Sequence, residues 1–505
     1  MAAIHVNNLT FCYDNSFDNI FEHVTFTLDT NWKLGFIGRN GKGKTTFLKL
    51  LLGEYSYEGS ISSGVSFDYF PYPVNETDYS RCAYELMDLW KPNTEDWRVF
   101  RELPALGIDP ELLYRPISTL SFGELTKVML AILFSGDHDF LLIDEPTNHL
   151  DRNARDIVKQ YLSAKKGFIL VSHDRDLLDA CIDHVLVLNR SSIEVQSGNF
   201  SSWWENKEKA DHFARAENEK HLKEIRHLKA AADKATRWAE KNENTKIGFD
   251  PLREPDRMIS TRAYIGTKTK KMQARAKSYE TRIYREIAEK EGLLKDIETP
   301  VSLRLTPLSY YKDTLVDARD FSLWYSDAKH PVINRITFQI RQGDILFLHG
   351  DNGCGKSSLI KAILQIHQQS LFHTSGTLEI PGHPVISYIS QDTSCLNGTL
   401  QDYALSHQLD YSLFLTLLRQ LDFDRTQFQK QIQDFSEGQK KKVLIAASLL
   451  TPAHLYIWDE PLNYIDVFSR IQLENLISHY HPTMLIVEHD IRFREKLATQ
   501  ILNLS

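Results

Sequence analysis

Two stretches of the chain carry glycine and lysine in the spacing that phosphate chemistry needs. Gly38-Arg-Asn40-Gly41-Lys-Gly43-Lys44-Thr45-Thr46 and Gly350-Asp-Asn352-Gly353-Cys-Gly355-Lys356-Ser357-Ser358 each follow a short apolar strand and run into an apolar helical stretch. Glycines let successive backbone N–H groups converge on a β-phosphate, and the helix amino terminus adds its dipole. Lys44 or Lys356 then reaches the β- and γ-phosphates, and the Thr45 or Ser357 hydroxyl suits Mg²⁺. One such match arises by chance in a chain this long with a probability of roughly a few per cent, given the usual abundance of glycine. A second match, in the same strand and helix context, removes that explanation.

The same series of residues follows each loop. In the first half, Ser121 and the Gly123 amide, in Leu120-Ser-Phe122-Gly-Glu124, stand at a helix start that attracts anions. Phe140-Leu-Leu-Ile-Asp144-Glu145 reads as an apolar strand ending in two carboxylates. Asp144 suits the outer shell of Mg²⁺, and Glu145 is placed to polarise an attacking water. Beyond Asp151, Phe168-Ile-Leu-Val-Ser-His173 presents an imidazole at the carboxyl end of another buried strand, where α/β sheets bind ligands. Alone, His173 would read as a structural histidine; in this series it reads as a γ-phosphate contact. Tyr13 closes the alternating strand that begins at Ile4, and either offers its ring to adenine or is simply a half-buried strand tyrosine.

The second half repeats the order as Tyr325, Lys356, Gln391, Ser436-Glu437-Gly438, Asp459-Glu460, Asp466 and His489. Gln391 and Asp459 join Ser357 as metal candidates. The offsets stay between 312 and 316 residues (44 to 356 is 312; 173 to 489 is 316). This is a duplication of whole domains.

The elements that must position these residues are two α/β domains. A chain of 505 residues is too long for one core. Hydrophobic content of 42% and charged content of 25% are those of a soluble globular protein. No apolar run reaches about eighteen residues, and no signal peptide opens the chain, so no membrane partner and a cytoplasmic location are expected. The five cysteines are scattered without metal spacing, as reduced thiols would be. The net charge of −8 argues against a general nucleic-acid binder.

These residues, twice in register, resemble the tandem ATP-binding-cassette ATPases, with Walker A, signature, Walker B, D-loop and H-switch segments in both halves. The resemblance implies a head-to-tail sandwich within one chain, expected to be a monomer. One ATP would lie between Lys44 with Glu145 and Ser436 with Gly438, the other between Lys356 with Glu460 and Ser121 with Gly123. Tyr72 stands where the second half keeps Gln391, and Phe122 and Glu437 replace signature glycines. Glu437 would bring a carboxylate near a γ-phosphate and slow the first site.

Between the cassettes, apolar or small residues recur at Leu222, Ile225, Leu228, Ala232, Ala235 and Ala239, then at Met272, Ala276, Tyr279, Ile283, Ile287, Leu294 and Ile297. Steps of three and four describe two helices of an antiparallel hairpin. Gly248, Pro251, Pro255 and Gly266 place its turn at about 243–266. The domains expected are therefore 1–200, the hairpin 201–300 and 312–505. Arg257, Arg262, Lys268, Lys270, Lys271, Arg275 and Lys277, with Phe249 and Tyr264 among them, form a basic, aromatic stripe. RNA suits such a stripe, and a solvated helix face is the bland reading.

A hairpin of this kind, with Met272-Gln-Ala-Arg-Ala-Lys-Ser-Tyr-Glu280, resembles the ABC-F ATPases over nearly the whole chain. Asn31-Trp-Lys-Leu-Gly, Ile457-Trp-Asp-Glu-Pro-Leu-Asn-Tyr and Ala216-Glu-Asn-Glu-Lys are similar to its Lsa-type antibiotic-resistance members. With a short segment between Tyr72 and Ser121 and the last cassette strand close to Ser505, neither an arm insertion nor a terminal extension is expected, as the resemblance to that subgroup implies. The resemblance implies a ribosome partner, entry at the E site, and contact with rRNA and P-site tRNA. A hairpin tip near the peptidyl-transferase centre would disfavour lincosamide, streptogramin A and pleuromutilin drugs. A general translation factor without a resistance role is the alternative, and a transporter ATPase subunit a more distant one.

Overall fold

In each repeat the P-loop strand lies inside a mainly parallel sheet. The first repeat orders its strands Ser66–Phe70, Asp139–Asp144, Phe168–Val171, Lys33–Ile37, His184–Leu188 and Ile193–Ser197, the last pair antiparallel. The second orders them Ile386–Ile389, Leu455–Asp459, Met484–Val487, Ile345–His349 and Gln500–Asn503, all parallel. Phe168–Val171 and Met484–Val487 are buried at every residue. A sheet covered on both faces requires such unbroken apolar runs. Because neighbouring strands run the same way, the P-loop, the Asp-Glu pair and the histidine all emerge at one edge.

This is a computed structural model. It describes residues 3–504 apart from 14–18, 93, 137–138, 149, 190–191, 245–269, 271–273, 275–276, 280, 284, 287–302, 326–329, 352, 365–371 and 424. The chain divides into one unit of Met1–Trp203 with Pro300–Ser505 and a second of Trp204–Thr299.

Each parallel sheet is accompanied by a three-stranded antiparallel one. Ala3–Phe11 is flanked by Phe21–Asp29 and Glu58–Ser63, and Thr314–Tyr325 by Ile333–Arg341 and Phe372–Glu379. Ile4, Val6 and Leu9 pack into one core with Phe36, Phe47 and Phe140. The duplication extends to backbone strain. Asn8 and Asp320 take φ of 51° and 48° at equivalent bulges. A Cβ on Gly59 would lie 2.4 Å from the Asn8 oxygen, and one on Gly376 2.3 Å from that of Asp320. Both repeats therefore need glycine at this crossing.

The helical side of the second repeat packs around Trp458, which is fully buried. Its indole Nε1 donates to Ser448 Oγ at 3.0 Å, so the one polar atom of the ring is satisfied.

The segment between the repeats begins with a helix of 45 residues, Phe200–Asn244. Asn199 caps it by accepting from the Ser202 N–H at 3.0 Å. The helix is polar over most of its surface and is laced with (i, i+4) pairs such as Lys207–Asp211 and Lys223–Glu219. Residues 277–279 and 281–283 are helical as well, and Ile225 and Ile283 are buried together with Leu228 and Ala231 against them. The expected seam is thus present at its centre, whereas Leu222 and Tyr279 are 41% and 45% exposed. Lys270 and Lys277 are exposed. The expected turn and the candidates Phe249, Arg257, Arg262, Tyr264, Lys268, Lys271 and Arg275 lie outside the described residues, as does Asn352.

Trp458→Ala removes the largest buried side chain of its core. It is expected to destabilise the second repeat by about 3–5 kcal/mol, read as a lowered denaturant midpoint, with Trp458→Phe losing less.

Candidate functional site

The first P-loop turns into its helix, Lys44–Leu51, through Gly43 at φ 106°. A Cβ at Gly43 would meet Ile20 at 2.5 Å. Lys44 Nζ donates to the Gly38 oxygen at 2.7 Å and to the Arg39 oxygen and Asn40 Oδ1 at 3.2 Å. These neutral acceptors hold the ammonium over the loop, where a phosphate would be a stronger partner. Thr45 Oγ1 donates to Asp144 Oδ2 at 2.8 Å, and the Tyr69 hydroxyl donates to the same oxygen at 3.2 Å. His173 Nε2 stands 3.1 Å from Glu145 Oε1.

Burial, then repulsion by Asp144, raises the Glu145 carboxyl to about 8. Burial and the charge of Lys44 push His173 well below its ordinary value. The pair is therefore a neutral imidazole against a carboxyl that ionises near neutral pH. Both Glu145 and its counterpart Glu460 hold left-handed backbone, at φ 52° and 48°.

The second P-loop repeats the arrangement. Lys356 Nζ donates to the Gly350 and Asp351 oxygens at 2.8 and 2.9 Å. Glu460 Oε2 accepts from Gln391 Nε2 at 2.8 Å and Asn463 Nδ2 at 2.7 Å, with His489 Nε2 3.8 Å from Oε1. Burial alone would raise Glu460, but His489 and Lys356 outweigh it and hold the carboxyl below its ordinary range. Burial and the charge of Glu460 raise Asp459 to about 6. Asp459 Oδ1 is buried without a hydrogen-bond partner, while Ser357 bonds the same carboxylate. A hydroxyl, a carboxylate with an unused oxygen and the Gln391 amide form a hard donor set that fits Mg²⁺. Tyr13 and Tyr325 stand at the mouths, 40% and 41% exposed. Their hydroxyls bond Thr46 Oγ1 at 2.7 Å and Ser358 Oγ at 2.8 Å, and the Tyr13 ring meets Phe11 and Tyr55 edge-on.

A family model described as ABC transporter matches residues 21–148 and 333–463, half of the chain. The chain belongs to this family. It is a tandem ABC ATPase, and the ABC-F resemblance read from the sequence stands. The chain is 27% identical over 501 residues to the ribosome protection protein VmlR of Bacillus subtilis (strain 168), covering 98% of this chain and 85% of that one. It is 24% identical over 508 residues to the ATP-binding protein Uup of Caulobacter vibrioides, covering 96% and 74%. Among solved structures, RNase-L Inhibitor shares the fold at a TM-score of 0.60 and 18% identity, over 98% of this chain and 87% of that one.

The two ABC cassettes meet at these sites. Asn40 Nδ2 donates to the Tyr464 oxygen of the second cassette at 2.6 Å, and Arg39 pairs with Asp422. A Cβ on Gly438 would lie 3.4 Å from Asn40 Nδ2, so the second signature abuts the first P-loop. Ser436 and Ser121 each cap the signature helix, accepting from the N–H of Gln439 at 3.4 Å and of Glu124 at 3.2 Å. Gly123 packs near Leu150, and Phe122 is 55% exposed. Asp466 and Asp151 both cap their helices, accepting from the N–H of Ser469 and of Ala154, and Asp466, fully buried, also pairs with Lys442 at 3.2 Å. Glu437 accepts from Thr393 and pairs with Lys440 at 3.0 Å, so part of its charge is answered within its own cassette.

Sheet register puts Tyr72 in the place of Gln391, since Phe70 pairs with Ile143 as Ile389 does with Trp458. Its ring is turned into the core, stacked on Trp90, with the hydroxyl donating to Asp68 at 2.9 Å. Tyr69 instead supplies the polar atom beside Asp144. Sequence reasoning passed over Tyr69, Lys442 and Arg470, the last of which acts by its charge on Glu145 and His173, because each reaches its place through strand pairing or a distant helix. It also missed Arg175, buried on Glu474 and, at 3.5 Å, on Asp490, and Arg492, which pairs with Asp176 and Asp179 of the first cassette.

Arg175→Ala leaves Glu474 and Asp490 buried with less positive charge. It is expected to cost about 3–5 kcal/mol, or the low end of that range if Arg470 and Lys496 take over, read as a lowered melting temperature. In a Glu460→Gln variant, kcat/KM is expected to fall as pH drops below about 8 if Glu145 polarises the water of the first site, since it must then be ionised. In Glu145→Gln the profile is expected to stay level over that range. For stability the sign is opposite: the folded first site favours protonated Glu145, a benefit complete below the ordinary carboxylate range and lost as pH rises through about 8.

Proposed function

We propose that the chain is an ABC-F ATPase that binds the ribosome when ATP closes its cassettes and leaves on hydrolysis. The observation that carries this is the end-to-end relation to a ribosome protection protein, which takes in the segment between the cassettes as well as both P-loops. One ATP lies on Lys44 against Ser436 and Gly438, the other on Lys356 against Ser121 and Gly123, with adenine on Tyr13 or Tyr325. Thr45 with Asp144, and Ser357 with Asp459 and Gln391, would hold Mg²⁺, whose bound charge offsets that of the β- and γ-phosphates. Glu145 and Glu460 polarise the attacking water, and His173 and His489 face the terminal phosphate. The cassettes act as a monomer with an intramolecular sandwich.

The hairpin enters the ribosomal E site and meets rRNA and P-site tRNA through its basic face, of which Lys270 and Lys277 are the exposed described members. From there it protects the peptidyl-transferase centre from lincosamide, streptogramin A and pleuromutilin drugs, which places the protein in the cytoplasm. A second reading is a translation factor without a drug role, since the chain is nearly as similar to Uup, whose name is that of an ATP-binding protein and carries no drug role. Among the described residues no helix is long and apolar enough to cross a membrane.

The Glu145→Gln, Glu460→Gln double variant is expected to co-sediment with ribosomes in ATP, and failure to do so would sink the reading. The wild-type chain expressed in a sensitive host is expected to raise the inhibitory concentrations of the three drug classes. Unchanged concentrations together with ribosome binding would select the translation-factor reading.

A further inference from the structure

We infer that Arg155 of the first cassette contacts the terminal phosphate of the nucleotide on the second P-loop, given the ATPase reading on which it rests. A cavity of about 480 Å³ opens over Lys356 and Ser357 and is bounded by Glu460 and His489. Its far wall comes from the other cassette, through Leu150 and Arg155. The volume falls in the range of small-molecule sites, roughly 300–1,000 Å³.

Arg155 lies in the first turn of the helix Arg152–Ser163, capped by Asp151. Its Nε donates to the Leu150 oxygen at 3.0 Å, which fixes the plane of the guanidinium. Nη1 is 3.9 Å from Asp174 Oδ2, too far for a hydrogen bond. The side chain is only 16% exposed, so water has limited access to donors that a planar fork presents to an oxyanion.

The surrounding charge favours an anion. Arg152, Arg494, His489 and Lys356 crowd His349 closely enough that burial and their charges push it below its ordinary value. Arg494 Nε is buried without a partner. The carboxylates lining the adjoining recess with Arg155 are Asp156, Asp174, Asp176 and Asp490, of which Asp176 pairs with Arg492 and Asp490 with Arg175 and Arg470, while Glu460, on the cavity side, is engaged by Gln391 and Asn463.

The counterpart in the other half lies near enough to the first site for its charge to act on Glu145 and His173, but its hydrogen bonds are already taken. Arg470 follows Asp466 as Arg155 follows Asp151, and its Nε donates to the Ile465 oxygen at 2.9 Å. Its remaining fork is spent within its own cassette, on the Leu462 oxygen at 2.9 Å and Asp490 Oδ2 at 3.2 Å. The same arginine address is a structural tie in one half and a reach toward phosphate in the other.

The test uses the full chain. In Glu145→Gln, where the second site alone turns over, Arg155→Ala is expected to lower single-turnover hydrolysis by roughly 10²-fold. In a Lys44→Ala chain, with fluorescent ATP and ADP as probes, it is expected to weaken ATP about tenfold while ADP affinity is retained, the signature of one charge-assisted contact to the terminal phosphate. Arg155→Lys is expected to recover ATP affinity more than rate, since it keeps charge without the fork. Equal loss of ATP and ADP affinity marks a structural role and overturns the inference, as does an unchanged ATP affinity. If the Glu145→Gln parent does not turn over, the ATP-against-ADP comparison decides by itself. A parent that binds neither nucleotide would instead overturn the ATPase reading, a result distinct from binding that ignores Arg155.

Discussion

Two carboxylates side by side at the end of a buried strand repel each other after losing most of their water, and the fold has to answer that charge. Asp144 receives hydroxyls from Thr45 and Tyr69. Asp459 keeps one oxygen without a partner. The glutamate next to it in each half is itself left-handed, which lets two consecutive acids face different groups. Lys44 and Lys356, the histidines and the opposite cassette are then placed by the need to balance what remains.

The two halves answer it differently. At the first site Glu145 is left near a neutral imidazole, and the P-loop is closed over by Tyr464, Asp422 and the start of the signature helix at Gly438. At the second, Gln391 and Asn463 donate to Glu460, and a cavity remains between the cassettes. A duplicated domain has thus kept its strain, its glycines and its strand order while the polar shell around each carboxylate pair diverged. Tyr72 is the clearest case, a residue in the glutamine's place that has become part of the core.

What could be read in the sequence was whatever lies within one strand-turn-helix unit. The P-loops, the signature caps at Ser121 and Ser436, and the strands ending at Asp144 and Asp459 all announce themselves locally, because backbone geometry and apolar runs are set over a few residues. What could not be read needed partners far apart in the chain. Tyr69 meets Asp144 only through the pairing of Ser66–Phe70 with Asp139–Asp144, and Arg175 meets Glu474 only once the halves associate. The hairpin period located Ile225 and Ile283 correctly but placed Leu222 and Tyr279 in the seam as well. Spacing marks one face of a helix without saying how much of it is covered.

The ties between the cassettes differ in depth. Arg175 is buried on Glu474, whereas Arg492, about one-third exposed, sits nearer the surface on Asp176 and Asp179. Mobile ions reach the second pair far more readily than the first, since screening acts through solvent. Changes in ionic strength therefore loosen the rim of this interface while its centre keeps its hold.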